Sequence, residues 1–169
     1  FGSHLAACDL YADDEAAVLS AAKRYYAEIM MPFRAIIDKN LGKLPSGSAL
    51  IAPSHGPVYQ RPALILDAYR EWMSAPPRNL AVVAYVSMHG STKQLVERLV
   101  RALTERGVQV EQFNLAVTDI GKLAMALVDA ATIIIGSPTV LGGAHPRAAS
   151  AASLANLLRP KDRYASVVG

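Results

Sequence analysis

Two stretches of this chain leave little choice of fold. Leu80 to Val86 reads Leu-Ala-Val-Val-Ala-Tyr-Val, and Thr132 to Gly136 carries three consecutive isoleucines. Neither alternates apolar with polar residues, so neither suits a strand with one wet face. Both need cover on two faces, as inner strands of a parallel sheet have. Helical patterns lie between and after them. Ser91 to Arg106 sets Leu95, Leu99 and Leu103 in line and stops at Gly107. Val108 to Leu115 alternates enough for a strand nearer an edge, and Asp119 to Asp129 reads as a short helix. Ala144 to Leu158 is an alanine-rich helix, and Tyr164 to Val168 a fourth strand. Strand and helix alternating in this way make an α/β fold, a doubly wound parallel sheet with helices on both faces.

The alternation begins only after Ser74-Ala75-Pro76-Pro77-Arg78, where two prolines end any helix and favour an extended connector. Two domains are therefore expected, 1–76 and 77–169. The first opens with a long amphipathic helix. Val18, Ala22, Tyr25, Ile29, Phe33 and Ile36 share one face, Asp13 or Asp14 caps the start, and Gly42 suits the end. Pro32 falls inside that pattern and predicts a kink or break. Ala49 to Ala52 reads as a short buried strand before the turn Pro53-Ser54-His55-Gly56-Pro57. Pro62 then opens a second helix with Ile65, Ala68, Tyr69, Trp72 and Met73 on its apolar side.

Composition excludes several classes. At 52% hydrophobic, the chain of 169 residues is no disordered polyelectrolyte. No apolar run approaches the ~20 residues that cross a bilayer, and no signal peptide is read. The one cysteine, Cys8, forms no internal disulfide, which suits a reducing compartment, so a cytoplasmic protein is expected. The charge of +3 is uneven. Seven lysines and arginines face eight acids up to Pro76, and ten face six beyond it. No basic run forms, and Arg159-Pro160-Lys161-Asp162-Arg163 is interrupted, so a nucleic-acid partner is not expected. The chain begins at Phe1-Gly2-Ser3-His4 and closes on a strand-like run, and both ends read as cuts through a longer protein. Its apolar surface is then expected to depend on partners for solubility.

In open α/β sheets, ligands bind beyond the carboxyl ends of the strands at a switch in strand order. The residues after Val86 and Gly136 are therefore the informative ones. The first loop is Ser87-Met88-His89-Gly90-Ser91-Thr92: short, rich in hydroxyls and leading straight into a helix. Free amides and the positive end of the helix dipole at that start suit an anion. Ser-Thr before a helix is equally an ordinary N-cap, and both readings stand at this point. The loop matches neither G-x-x-x-x-G-K-[ST] nor G-x-G-x-x-G, which leaves a Walker-type site unsupported and argues against a dinucleotide. The second loop is Ser137-Pro138-Thr139-Val140-Leu141-Gly142-Gly143, whose glycines allow close backbone approach to a ligand.

The first of these loops resembles the phosphate loop of flavodoxin-like domains, and Ser137-Pro138-Thr139 with Gly142-Gly143 resembles their second flavin loop. In detail both are similar to the flavodoxin domain of flavodiiron proteins. Phe1-Gly2-Ser3-His4 and Ile51-Ala52-Pro53-Ser54-His55-Gly56-Pro57 are similar to stretches near the end of that family's metallo-β-lactamase-like domain. The resemblance implies a flavodoxin-like sheet, incomplete after its fourth strand, preceded by the C-terminal part of a metallo-β-lactamase-like αββα domain. It further implies FMN and a non-haem diiron site as cofactors, reducing dioxygen to water or nitric oxide to nitrous oxide. Ser87, Met88, His89, Gly90, Ser91 and Thr92 would hold the FMN phosphate and flank the ring. Ser137, Pro138, Thr139, Val140, Leu141, Gly142 and Gly143 would form the second flavin loop, with Pro138, Thr139, Leu141, Gly142 and Gly143 lining the ring. Family members often carry Trp at His89 and Asn at Leu141, departures that bear on ring stacking and on one polar contact.

By the same resemblance His55 is the last iron-ligand histidine; imidazole suits iron. The family's H-x-E-x-D-H cluster is absent from this sequence. His4 reads as structural, His145 before Pro146 as a helix-start residue, and Cys8 has no metal-spaced partner. Asp9, Asp13, Asp14 and Glu15 read as a solvated helix start. The electron donor would be rubredoxin, a reduced deazaflavin or a nicotinamide-linked reductase, and the protomers would pair head to tail in a dimer or tetramer. The alternative is a non-catalytic FMN electron-transfer module whose lactamase-like part is structural. A hydrolase would leave both flavin loops unused.

Overall fold

Pro32 decides the course of the first helix. In the computed structural model, which describes residues 1–6, 10–11, 14–45 and 47–169, α1 spans Glu15–Tyr25 and α2 spans Arg34–Leu41. Between them the backbone widens to a π-helical turn, Tyr26–Met30, and tightens to a 3-10 turn, Met31–Phe33. Proline has no N–H to donate into the preceding turn, and the chain absorbs that loss by changing its helical pitch. The π turn holds an extra residue and rotates the helix beyond it. The expected apolar face therefore holds for Val18 and Ala22 but passes next to Tyr26, Ala27 and Met31, all buried. Ile29, Phe33 and Ile36, expected on that face, are exposed. Asp14 is the N-cap, its carboxylate accepting from the Ala17 N–H at 3.0 Å. Cys8, Asp9 and Asp13 lie outside the described residues.

The expected strand at 49–52 is not formed. Ile51 makes a single antiparallel bridge to Tyr59, and Leu50 is exposed. Four residues with prolines close behind cannot extend a ladder without a longer partner. α3, Pro62–Ser74, buries Ile65, Tyr69, Trp72 and Met73 as read. Tyr26, Tyr69 and Trp72 pack ring on ring at 5.3–5.5 Å, and Phe1 meets Tyr69 edge-on at 4.9 Å. Such contacts contribute about 0.5–1.5 kcal/mol each beyond their buried area. Burial pushes the Tyr26 hydroxyl up to about 12, against the pull of Arg34.

The chain divides into two compact units, Phe1–Ala75 and Pro76–Gly169. The second contains β1 (Arg78–Tyr85), α4 (Ser91–Thr104), β2 (Gln109–Asn114), α5 (Ile120–Leu127) and β3 (Ala130–Gly136). A short hairpin of β4 (Thr139–Val140) and β5 (Gly143–Ala144) comes next, then α6 (Pro146–Leu158) and β6 (Tyr164–Val168). The four long strands are parallel in the order β2-β1-β3-β6. Val82, Ala84 and Ile133 face α5 and α6, packing on Leu123, Leu127, Ala148 and Ala151. Val83, Tyr85 and Ile134 face α4 and meet Val96. This two-sided burial is what the unbroken apolar runs require. On α4 the buried row is Thr92 and Val96, with Leu99 and Leu103 at its margin; Leu95 is exposed.

The order reverses at β1. The chain steps from β1 to β2 on one side, then crosses to β3 on the other, so the loops after β1 and β3 diverge at one point of the sheet.

Candidate functional site at the switch point

The first loop caps itself. Ser87 Oγ accepts the N–H of Gly90 and of Lys93, both at 3.2 Å. Gly90 sits at φ +89, a conformation that a side chain resists, and leads into the fourteen residues of α4. The Ser91 and Thr92 amides point out of the first helical turn, where no intrahelical partner exists. The N-cap reading of Ser91 and Thr92 is not what the helix start shows: Gly90 is the N-cap, Ser91 and Thr92 lie in the first turn, and it is Ser87 Oγ that accepts amides there. The Thr92 side chain is 5% exposed, Ser91 is open to solvent, and Met88 and His89 stand exposed at the tip.

The second loop is more ordered than its sequence implied. Thr139 pairs with Ala144 and Val140 with Gly143, so Leu141-Gly142 is a two-residue hairpin turn. Both have positive φ, +50 and +80, as a type I′ turn requires. Leu141 therefore holds a left-handed backbone with its side chain wholly in water. The signal for this hairpin was the Leu-Gly pair after the β-prone Thr139-Val140; it is weak because Gly143-Ala144 is not β-prone and type I′ turns favour Asn-Gly. At the loop's base, the Ser137 N–H donates to the Val168 carbonyl at 2.9 Å, and Ser137 Oγ accepts the His145 N–H at 2.8 Å. His145 starts α6 as read, its Nδ1 accepting the Arg147 N–H at 3.2 Å.

β1 and β3 are paired, with Tyr85 opposite Gly136, so the two loops leave the sheet side by side. Neither carries a carboxylate, and hydroxyls of Ser87, Ser91 and Thr92 surround the helix start. That donor set fits a phosphate, and the exposed side chains of Met88 and Leu141 with the half-buried Val140 fit a planar ring. A cleft of about 570 Å³ opens on the β6 side of the second loop, between Ile135, Pro138, Gly142, Ala148, Ala152 and Val167. No residue of the first loop lines it.

Arg147, which sequence reasoning passed over, and Gly136 and Tyr25, read only as a strand end and an apolar helix position, support this end of the sheet or shape the first unit. Gly136 lies where an added Cβ would come within 2.9 Å of Tyr85 Cβ and 3.3 Å of Val96 Cγ2. Arg147 donates to the carbonyls of Leu115 and Ala116, at 2.7 and 2.8 Å, tying α6 to the stretch after β2. In the first unit, Tyr25 faces His55 with ring centroids 6.0 Å apart, and His4 stands perpendicular to both.

His55 is held by backbone. Its carbonyl accepts the Ser3 N–H at 3.1 Å, and Gly56 at φ +88 passes so close to Ser3 that a Cβ would lie 2.2 Å from Ser3 Oγ. The His55 side chain is exposed, and the described residues contain no group of three or more His, Cys, Asp or Glu that could hold a metal ion. On their own they do not make a diiron centre.

A parallel sheet in the order β2-β1-β3-β6, with hydroxyl-rich and glycine-bearing loops at its switch point, defines a flavodoxin-like α/β domain. The chain is 32% identical over 175 residues to the nitric oxide reductase of Moorella thermoacetica, covering 100% of this chain and 44% of that protein. The rubredoxin oxygen:oxidoreductase of Desulfovibrio gigas superposes with a TM-score of 0.84 at 25% identity, covering 98% of this chain and 43% of that one. The flavodiiron protein of Giardia intestinalis superposes at 0.86 with 24% identity, over 98% and 42%. No family model matches the chain. The chain belongs to the flavodiiron protein family. It spans less than half the length of these relatives.

Proposed function

We propose that this chain is the FMN-binding portion of a flavodiiron oxidoreductase, together with part of its diiron domain. Residues 77–169 are the flavodoxin-like domain, and 1–76 the C-terminal part of a metallo-β-lactamase-like domain. The observation that carries the reading is the pairing of Tyr85 with Gly136, which brings the two loops to one switch point. The Ser91 and Thr92 amides, with the hydroxyls of Ser87, Ser91 and Thr92, hold the phosphate at the positive end of α4. Gly90 lets the backbone approach it. Met88, His89, Pro138, Thr139, Val140, Leu141, Gly142 and Gly143 flank the ring, and Ser137 anchors the second loop. FMN, when bound, accepts and releases electrons singly or in pairs. His55 supplies one ligand to the diiron site, whose other ligands come from beyond these described residues.

The whole protein then reduces dioxygen to water or nitric oxide to nitrous oxide. Its electrons come from rubredoxin, a reduced deazaflavin or a nicotinamide-linked reductase, in a head-to-tail homodimer or tetramer. Its location is cytoplasmic, in keeping with a single cysteine. None of the described helices is long and apolar enough to cross a membrane. The test is the flavin and iron content of the natural protein, purified anaerobically from iron-replete cells. About one FMN and two irons per chain are expected. FMN without iron would refute the reductase and leave an electron-transfer module; absence of FMN would refute both.

A further inference from the structure

The two ends of the second loop are fixed by different means. The upstream end belongs to the sheet: the Ser137 N–H donates to the Val168 carbonyl at 2.9 Å, one step beyond β3. The downstream end runs straight into α6, so it lies wherever α6 begins. Helices lock against their neighbours by fitting ridges of side chains into grooves. The buried residues of α6 are Ala148, Ala151 and Leu158. Two methyl groups near its start set how closely the helix packs, but they form too shallow a ridge to stop it slipping along its axis. Arg147, the second residue of α6, supplies what the alanines lack. Its Nη1 donates to the carbonyls of Leu115 and Ala116 at 2.7 and 2.8 Å. In the order β2-β1-β3 those carbonyls lie beyond β1, so the side chain reaches from the β3 side to the β2 side. The stretch that it grips is itself held. The Leu115 N–H donates to the Tyr85 carbonyl at 2.8 Å, and Asn114 accepts the N–H groups of Ala116, Val117 and Thr118 at 2.9–3.1 Å.

A cation in the first turn of a helix sits at the positive end of its dipole and is disfavoured there. Two charge-assisted bonds to carbonyls offset that cost. We propose that Arg147 is a positioning residue for the ring-binding half of the flavin site. By pinning the start of α6 to the stretch after β2, it sets the downstream end of the hairpin Thr139–Ala144 that flanks the ring. It touches neither loop's ligand groups, and the phosphate loop, capped by Ser87, does not depend on it. The proposal rests on the FMN reading of the site.

The experiment titrates the natural protein and its Arg147→Met, Arg147→Lys and Leu158→Ala variants with FMN and with riboflavin, which has the ring but no phosphate. Arg147→Met is expected to weaken both about fivefold, the net worth of one hydrogen bond. The ratio of FMN to riboflavin affinity reports the phosphate loop and should not change. Arg147→Lys should recover most of the loss, because one nitrogen makes both bonds and an ammonium can do the same. Leu158→Ala opens a cavity at the far end of α6, and should lower the melting temperature while leaving both affinities unchanged. Without flavin, hydrogen exchange in Arg147→Met should quicken at the hairpin amides of 139–144 but not at Gly90 and Lys93. Unchanged riboflavin affinity in Arg147→Met would overturn the proposal. So would a fall in the FMN-to-riboflavin ratio, or equal weakening by Leu158→Ala, since either means general loosening. If the natural protein binds neither flavin, the flavin reading itself falls and takes this role with it.

Discussion

Gly136→Ala is the sharpest test of how the fold holds the site. The backbone there is ordinary strand, so alanine meets no conformational bar. What it meets is contact: the new methyl lies 2.9 Å from Tyr85 Cβ, 3.3 Å from Val96 Cγ2 and 3.5 Å from Thr92 Cγ2. Tyr85 Cβ is fixed by the paired strand, so it cannot yield. Val96 is fully buried, so it yields only if α4 moves. The relief therefore comes at the first turn of α4, where the proposed phosphate site lies. Overpacking of this kind costs about 1–3 kcal/mol, while replacing glycine restores about 0.4–1 kcal/mol through the unfolded chain. The net loss is about 1–2 kcal/mol, and at about 4–8 °C per kcal/mol for a domain of this size the melting temperature falls by roughly 5–15 °C. FMN affinity falls by about three- to tenfold, equivalent to one weakened hydrogen bond. Thermal melts and fluorescence titration read both. Adding Val96→Ala makes room for the methyl, so the double variant should bind FMN better than Gly136→Ala alone. An unchanged melting temperature with unchanged FMN affinity would refute the packing argument.

Leu141→Asn should stabilise the chain by about 1 kcal/mol, because asparagine tolerates the left-handed conformation that leucine resists; a urea melt showing a loss would contradict the type I′ assignment. Ser87→Ala removes the acceptor shared by the Gly90 and Lys93 amides and should cost about 1–2 kcal/mol of stability and weaken FMN binding, read by the same titrations. Burial raises the hydroxyls of Tyr26, Tyr59 and Tyr69 above their ordinary value, Tyr26 to about 12. The folded state thus holds these protons more tightly than the unfolded one. Their contribution is complete below about pH 10, the ordinary tyrosine value, and is lost as pH rises through the raised values, so alkaline unfolding should begin in that window. Tyr26→Phe should blunt that pH dependence, and an identical alkaline profile would count against it.

Much of the second unit was legible because its strands are buried on both faces. Ala-Val-Val-Ala and Ile-Ile-Ile call for an inner strand, and Gly107 and Pro146 stop and start the helices between them. The first unit was less legible. The periodicity through Ile29, Phe33 and Ile36 is sound as arithmetic, but it assumes 3.6 residues per turn, and the π turn before Pro32 breaks that assumption. Ala49 to Ala52 is apolar enough for a strand, yet a strand needs a partner ladder, which local sequence does not encode.

The chain by itself determined the α/β class and the place and chemistry of both loops, because burial pattern and loop composition are local properties. Only the tertiary structure decided that those loops stand side by side, since strand order depends on which pairings close the sheet. It also decided that Leu141 lies in a left-handed turn, and that Gly136, His145 and Arg147 brace the site. Their roles come from neighbours 8 to 51 residues away in sequence — Ser137 for His145, the carbonyls after β2 for Arg147, Tyr85 for Gly136 — and contacts of that kind exist only once the sheet has formed.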